Sequence, residues 1–368
     1  MKRFIMIIMS VLLVLLTCCA EVPEPEPSET ATPTPTPAAS PSPTPRPTPS
    51  PTPEPTPSPE PVVGNNPLTG LMMDESLEGR RPVAIMFNNL KASMPQCGVS
   101  EADIIYEALA EGDVTRMVGV FMDPYKVSTF GSIRSTRAYY LDIAQSHDAV
   151  LVHAGGSPEA YNEIPKRGVT TIDGTQAAGV YFYRDPVRKA TIGLEHTLFI
   201  TGAKILEAVE KTVKRPLIKD SYADALRFVV DGTPTDGVPA AKLTLRYSGY
   251  KTGIFEYDDA TGLYNVSQYN GPYADGNNDV QVAVRNVLVL RMGFTTIAGD
   301  EALRRRADIV STGEGYFLCG GKWVPIQWSR TSHDAPFVYT CEDGTPLELG
   351  MGKTYVNLFP KNYAVTLE

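Results

Sequence analysis

The chain has 368 residues, with 33 Lys and Arg against 42 Asp and Glu, a formal charge of −9, and 42% hydrophobic and 20% charged residues. That length allows about two domains, yet 17 of the 32 prolines lie between Glu21 and Pro61, and that stretch cannot share a packed core with the rest. Setting aside the first 61 residues removes three basic groups (Lys2, Arg3, Arg46) and six acidic ones (Glu21, Glu24, Glu26, Glu29, Glu54, Glu60), so the body holds 30 against 36. This balance argues against broad nucleic-acid binding, which needs clustered Lys and Arg to release counterions.

Lys2 and Arg3 precede an apolar run from Phe4 to Leu16 broken only by Ser10. A charged start and a hydrophobic stretch too short to span a bilayer read as an export signal over residues 1–18. Leu16-Thr17-Cys18-Cys19 resembles a bacterial lipobox, departing from it in Cys18, where Gly, Ala or Ser is usual. Cys19 is therefore the expected lipid acceptor, with Cys18 as fallback. Acyl groups such as palmitate would tether the chain to the outer, extracytoplasmic face of the cell membrane, more than one chain being needed for firm anchoring.

Residues 19–64 continue as a stalk in which Pro alternates with Thr, Ser or Glu, as at Pro41, Pro43, Pro45, Pro47, Pro49 and Pro51. Each ring fixes φ and deletes a donor, so a disordered, extended and solvated segment is expected. At ~3.1 Å per residue its proline-rich part, Glu21 to Pro61, would reach about 120 Å. The expected fold class is α+β: a mixed α/β domain over 65–216, a linker over 217–240, and a mostly β domain over 241–368.

In the first domain Arg81 to Asn88 reads as a buried strand, and Glu111-Gly112-Asp113 as the turn of a hairpin whose second arm is Val114 to Met122. A helix follows with Ser135 as N-cap, then a short strand, Ala149 to Ala154. A second helix has Ser157 as N-cap and Pro158 in its first turn, and a third covers Thr201 to Lys214. Beyond Pro216 the segments are short and rich in β-branched and aromatic residues, with turns at Asp259 to Gly262, Gly320-Gly321 and Asp343-Gly344.

PLTGL at Pro67, RPVAIMFNN at Arg81, ADIIYEALAEGDVTR at Ala102, GSIRSTRAYYLDIA at Gly131, HAGGSPEAY at His153 and GKTYVNLFP at Gly352 together resemble the YerB-like lipoproteins. The likeness covers nearly everything after the stalk. It implies two domains of unassigned function and supplies no catalytic residues.

The strongest chemical signal lies at two successive helix starts. Arg134 and Arg137 flank Ser135, and Gly155, Gly156 and Ser157 lead into the second helix. Bare amides at a helix start attract anions, and guanidinium groups add paired contacts to phosphate or carboxylate. If both helices follow neighbouring parallel strands, their starts share the carboxyl edge of the sheet, where open α/β folds bind ligands. Arg116 could point there too. The expectation is an anion pocket for an envelope ligand or a cell-wall partner protein, with binding ahead of catalysis and no cofactor or metal. The bland alternative pairs these arginines with Glu107, Glu111, Asp142 or Glu159.

A fainter likeness, to the LytR-CpsA-Psr phosphotransferases, would have Asp103 help hold Mg²⁺ while Arg134 or Arg137 grips the pyrophosphate of a polyprenyl-linked glycopolymer. The chain departs from that pattern at Ala102, where the family has Arg, and at Ile133-Arg134-Ser135, where it has Pro-Arg-Asp. A non-catalytic scaffold for wall synthesis is the third reading. His153 reads as a strand-end carbonyl cap, Asp275 to Asp279 as an Asx-rich turn, and Arg304 to Arg306 as a solvated strand edge. Cys97, Cys319 and Cys341 read as reduced, with Cys319 and Cys341 the pair to consider otherwise.

Overall fold

A computed structural model describes residues 64–368 apart from Ala178 and Asp224. The expected export signal, Cys18, Cys19 and nearly all of the expected stalk lie outside the described residues. Among the described residues no helix is long and apolar enough to cross a membrane.

The sequence patterns of the first region form β1 (Val83–Asn88), β2 (Ile104–Glu111), β3 (Val114–Phe121), α1 (Ala138–Ser146), β4 (Val150–His153), α2 (Pro158–Arg167), β5 (Thr171–Asp173) and α3 (Gly202–Thr212). The second region gives β6 (Val238–Pro239), β7 (Lys242–Arg246), β8 (Thr252–Asp258), β9 (Leu263–Gln268), β10 (Asn286–Met292), β11 (Arg305–Ala307), β12 (Thr312–Cys319), β13 (Lys322–Ser329), β14 (Val338–Cys341), β15 (Thr354–Pro360) and β16 (Val365–Leu367). The expected mixed region followed by a β-rich one is therefore present.

The two regions share one eleven-stranded sheet, ordered β6-β13-β12-β10-β15-β2-β3-β1-β4-β5 with β14 beside β13. The join is β15, which lies parallel to both β10 and β2. Burial on both faces explains why β1, β2 and β15 read as near-continuous apolar runs. On one face α1 sets Tyr139, Tyr140, Leu141 and Ile143 against Met86, Ala108, Val118 and Val120. On the other, α3 and a smaller sheet containing β7, β8 and β9 bury Ile205, Leu243, Phe255 and Val266 against Ile85, Ile105, Met117 and Tyr355.

Candidate functional site

Strands β1 and β4 pair in parallel only from Val83 to Ile85 and from Val150 to Val152, then part. The segment ahead of α1 fills the fork. Ile133 bridges Phe87, the Arg134 amide donates to the Met86 carbonyl (3.1 Å), the Ala154 amide donates to the Arg134 carbonyl (3.1 Å), and Thr136 bridges Gly156. Both helix starts thus meet at the carboxyl edge of a parallel pair, by a route other than the expected one: α1 follows this inserted segment, since β3 runs antiparallel to β1.

Arg116, near the start of β3, and Arg137, at the start of α1, converge on one carboxylate. Arg137 donates to Glu111 Oε2 through Nη2 (2.6 Å) and Nε (3.2 Å), and to the Thr136 carbonyl through Nη1 (2.7 Å). Arg116 pairs with Glu111 Oε1 and donates to the Ser135 carbonyl (2.5 Å). Arg134 reaches Glu195 Oε2 at 2.7 Å, a partner whose side chain is 55% exposed. Its Nε is buried and has no hydrogen-bond partner among the described residues.

The electrostatics follow from two guanidinium groups sharing one counter-charge. Burial, and after it the neighbouring Arg137, bring Arg116 down to about 10, with Arg134 acting in the same direction. Burial would raise Glu111, but Arg116 and Arg137 outweigh it and hold the carboxyl below the ordinary carboxylate range.

Several expected details are corrected. Ser135 is not an N-cap; Arg137 holds that position and no side chain caps α1. The reason is local: the Thr136 bridge to Gly156 keeps the chain extended two residues longer, and Ser135 supplies its carbonyl to Arg116. Ser157 does cap α2, accepting from the Ala160 amide at 3.1 Å, with Pro158 in the first turn. Two of the amides ahead of α2 are not bare, however. Gly155 donates to Asp173 Oδ1 (3.0 Å) and Ser157 to the Thr136 carbonyl (3.2 Å). The positive charge of this edge therefore comes from guanidinium groups more than from helix amides.

Arg304 to Arg306 are not a plain solvated edge. The Gly112 amide donates to the Leu303 carbonyl, and Arg305 returns two hydrogen bonds to the Gly112 carbonyl (2.8 and 3.2 Å). Arg306 pairs with Glu159 at 2.9 Å. The second region thus brings the Arg305 guanidinium to the Glu111 turn, a convergence that local pattern could not supply.

Asp103 lies elsewhere. It immediately precedes β2 and Glu111 ends it, so about 27 Å of extended chain separates them. Burial pushes the Asp103 carboxyl up to about 6, and it accepts from the Met122 amide (2.7 Å) and Asn66 Nδ2 (3.3 Å) beside a cavity of about 730 Å³. Asp103 and the arginines do not form one site. His153 Nδ1 meets the Gly155 carbonyl at 2.8 Å, as its strand-end position implies, and burial depresses its basicity. Asp275 is a buried Asx anchor, accepting from the Gly98, Ser100 and Asn277 amides. Cys97, Cys319 and Cys341 are free thiols.

Residues 68–215 match the family described as protein of unknown function (DUF3048) N-terminal domain, and residues 243–356 match its C-terminal domain. The chain belongs to this YerB-like family. It is 28% identical over 295 residues, 80% of this chain and 86% of the relative, to the Bacillus subtilis (strain 168) protein that carries the name lipoprotein YerB. The crystal structure of YerB protein from Bacillus subtilis superposes with a TM-score of 0.73 at 26% identity, covering 82% of this chain and 99% of that one.

In this member of the family a second polar cluster escaped sequence reasoning. Glu107 and Lys251, both 1% exposed, pair at 3.1 Å between the two sheets. Glu107 also accepts from Asn89 (2.9 Å), Thr115 (2.5 Å) and Tyr355 (2.6 Å), and Lys251 donates to Gln268 Oε1 at 2.6 Å. Gln268 and Gln96 both donate to Asn89 Oδ1 at 3.1 Å, and Asn88 Nδ2 meets His196 Nδ1 at 2.8 Å. His196 Nε2 lies 3.4 Å from Glu195, the partner of Arg134. A Glu and a Lys 144 positions apart in sequence carry no local signal of each other.

Proposed function

We propose that the chain is a lipid-anchored protein of the outer face of a bacterial cell membrane. Its sheet edge would bind an anionic envelope ligand, a phosphate or carboxylate group, through Arg116, Arg134 and Arg137, with Ser135, Gly155, Gly156 and Ser157 shaping the rim. The export signal, Cys19 and the name of the Bacillus relative support the anchor. One observation carries the binding reading: three guanidinium groups face only Glu111 and Glu195 as ion-pair partners among the described residues, and Arg134 Nε has none.

One carboxylate cannot neutralise two guanidinium groups, so Arg116 and Arg137 retain attraction for a further anion. The Arg134–Glu195 pair, exposed on its Glu195 side, contributes little, about 0–1 kcal/mol, and an incoming phosphate can displace it. The three arginines would then grip neighbouring oxygens with charge-assisted bonds. The phosphotransferase reading gains nothing from this geometry, because its acidic residue stands at the far end of β2.

Calorimetric titration of the chain with inorganic pyrophosphate tests the reading. Heat should appear with the wild type and be lost with Arg134→Ala, whose melting temperature should stay within about 2 °C of wild type. Equal titration curves for the two proteins would overturn it. Acyl release from Cys19, measured by mass spectrometry and abolished by Cys19→Ser, tests the anchor independently.

A further inference from the structure

The outer edge of β13 is interrupted. β6 pairs with it at Lys322 and Trp323, and β14 from Ile326 to Ser329, so among the described residues Val324 and Pro325 have no strand neighbour on that side. A groove of about 610 Å³ opens at the gap, between residues 229–236 and the turn that follows β14. Its floor includes Phe317, Val324 and Pro325. Carboxylates stand on both walls: Asp231 and Asp236 on one, Glu342, Asp343 and Glu348 on the other, and no Lys or Arg lines it. Arg285 pairs with Asp231 from outside the groove at 2.8 Å, and Lys322 reaches the Thr235 carbonyl at 3.3 Å. The other four carboxylates have no basic partner among the described residues.

We infer that this groove is a docking site for an extended, cationic polypeptide segment of a partner protein, one carrying neighbouring Lys or Arg residues. Three features select that chemistry. Long basic side chains lay apolar stems on an apolar floor and hold their charge at a polar rim. Successive side chains of an extended segment point to opposite sides, so adjacent basic residues reach the two acidic walls. Pro325 offers no amide and blunts the strand edge, so the segment is held by side chains more than by an added ladder. Asp231 and Asp343 are kept in their charged form by hydrogen bonds, chiefly from Thr233 and Thr345. This surface is independent of the arginine edge, so either can fail without the other.

Cys341, half-buried in the groove wall, reports occupancy directly. The full chain is titrated with a fluorescent Lys-Lys-Val-Lys-Lys peptide at low salt, with Glu-Glu-Val-Glu-Glu as control, while Cys341 alkylation by iodoacetamide is followed by peptide mapping. The basic peptide should raise anisotropy, slow Cys341 alkylation at least about threefold, and bind about tenfold more weakly near 0.5 M salt. Asp236→Asn with Glu342→Gln and Glu348→Gln, all exposed positions, should weaken binding about tenfold with an unchanged melting curve. No binding at about 1 mM peptide would overturn the inference. So would equal binding of the acidic peptide, full binding by the triple variant, or displacement by spermine at the peptide's own concentration, which would assign a small polyamine instead.

Discussion

Replacing Lys251 with Met should be among the most damaging single changes available to this fold. Lys251 and Glu107 are each 1% exposed, and deleting the ammonium leaves a carboxylate sealed between two sheets. Removing one partner of a buried ion pair costs about 3–5 kcal/mol. Asn89, Thr115 and Tyr355 still donate to Glu107, so its charge is not left bare and the lower end, about 3 kcal/mol, applies. Gln268 Oε1 loses its donor at the same time. For a folded unit this large, about 2 °C per kcal/mol gives a fall in Tm of about 6 °C. Differential scanning calorimetry reads this shift. Lys251→Met combined with Glu107→Gln should recover at least about 1 kcal/mol of the loss, a coupling visible in a double-mutant cycle. A single variant within about 1 kcal/mol of wild type, or strict additivity in the cycle, would show that Lys251 does not neutralise a buried Glu107.

Three further outcomes follow from named contacts. Glu111, held below its ordinary 4.5 by two arginines, contributes stability that is fully present above that pH and is lost as pH falls through the folded value. The stability gap between wild type and Glu111→Gln, measured by urea unfolding, should therefore be full at pH 7 and shrink below about pH 4.5. His147 is kept neutral by burial, its pKa brought from 6.5 down to about 4, so the unfolded chain takes its proton first. Stability should fall as pH drops from 6.5 to 4, by about 3 kcal/mol from this residue, and His147→Gln should flatten that slope in the same assay. Gly202 opens α3 where an added Cβ would lie 2.3 Å from the Pro124 carbonyl oxygen and 2.6 Å from that of Tyr125. Gly202→Ala should cost about 1–3 kcal/mol by thermal melting, and a neutral effect would contradict the packing described.

Much of the fold was legible because it is written in local pattern. The unbroken apolar run of β1, the Glu111-Gly112-Asp113 turn and the Ser157-Pro158 start of α2 each declare themselves within a few residues. The insertion of β15 between β10 and β2 does not, since its two partners lie about 68 and 250 positions away in the chain. Lys251 sits in a Gly- and Tyr-bearing turn that reads as solvated, and only the opposing sheet with Glu107 buries it. For the candidate site, the three arginines were visible at their helix starts and on β3, and Glu111 was among their named partners. Ser135 misled because it resembles a cap, whereas a bridge to the α2 approach decides where α1 begins. Arg305 was obscured because strand alternation says which face a side chain takes, not which turn lies across from it.

The arginine edge is predicted to hold an anion. Crystals of the protein soaked in selenate, with anomalous data collected at the selenium edge, answer this directly. A peak within hydrogen-bond distance of Arg134 Nε and of Arg116 or Arg137 is the predicted result. Full selenate occupancy elsewhere on the molecule, with no peak at these three side chains, would contradict it.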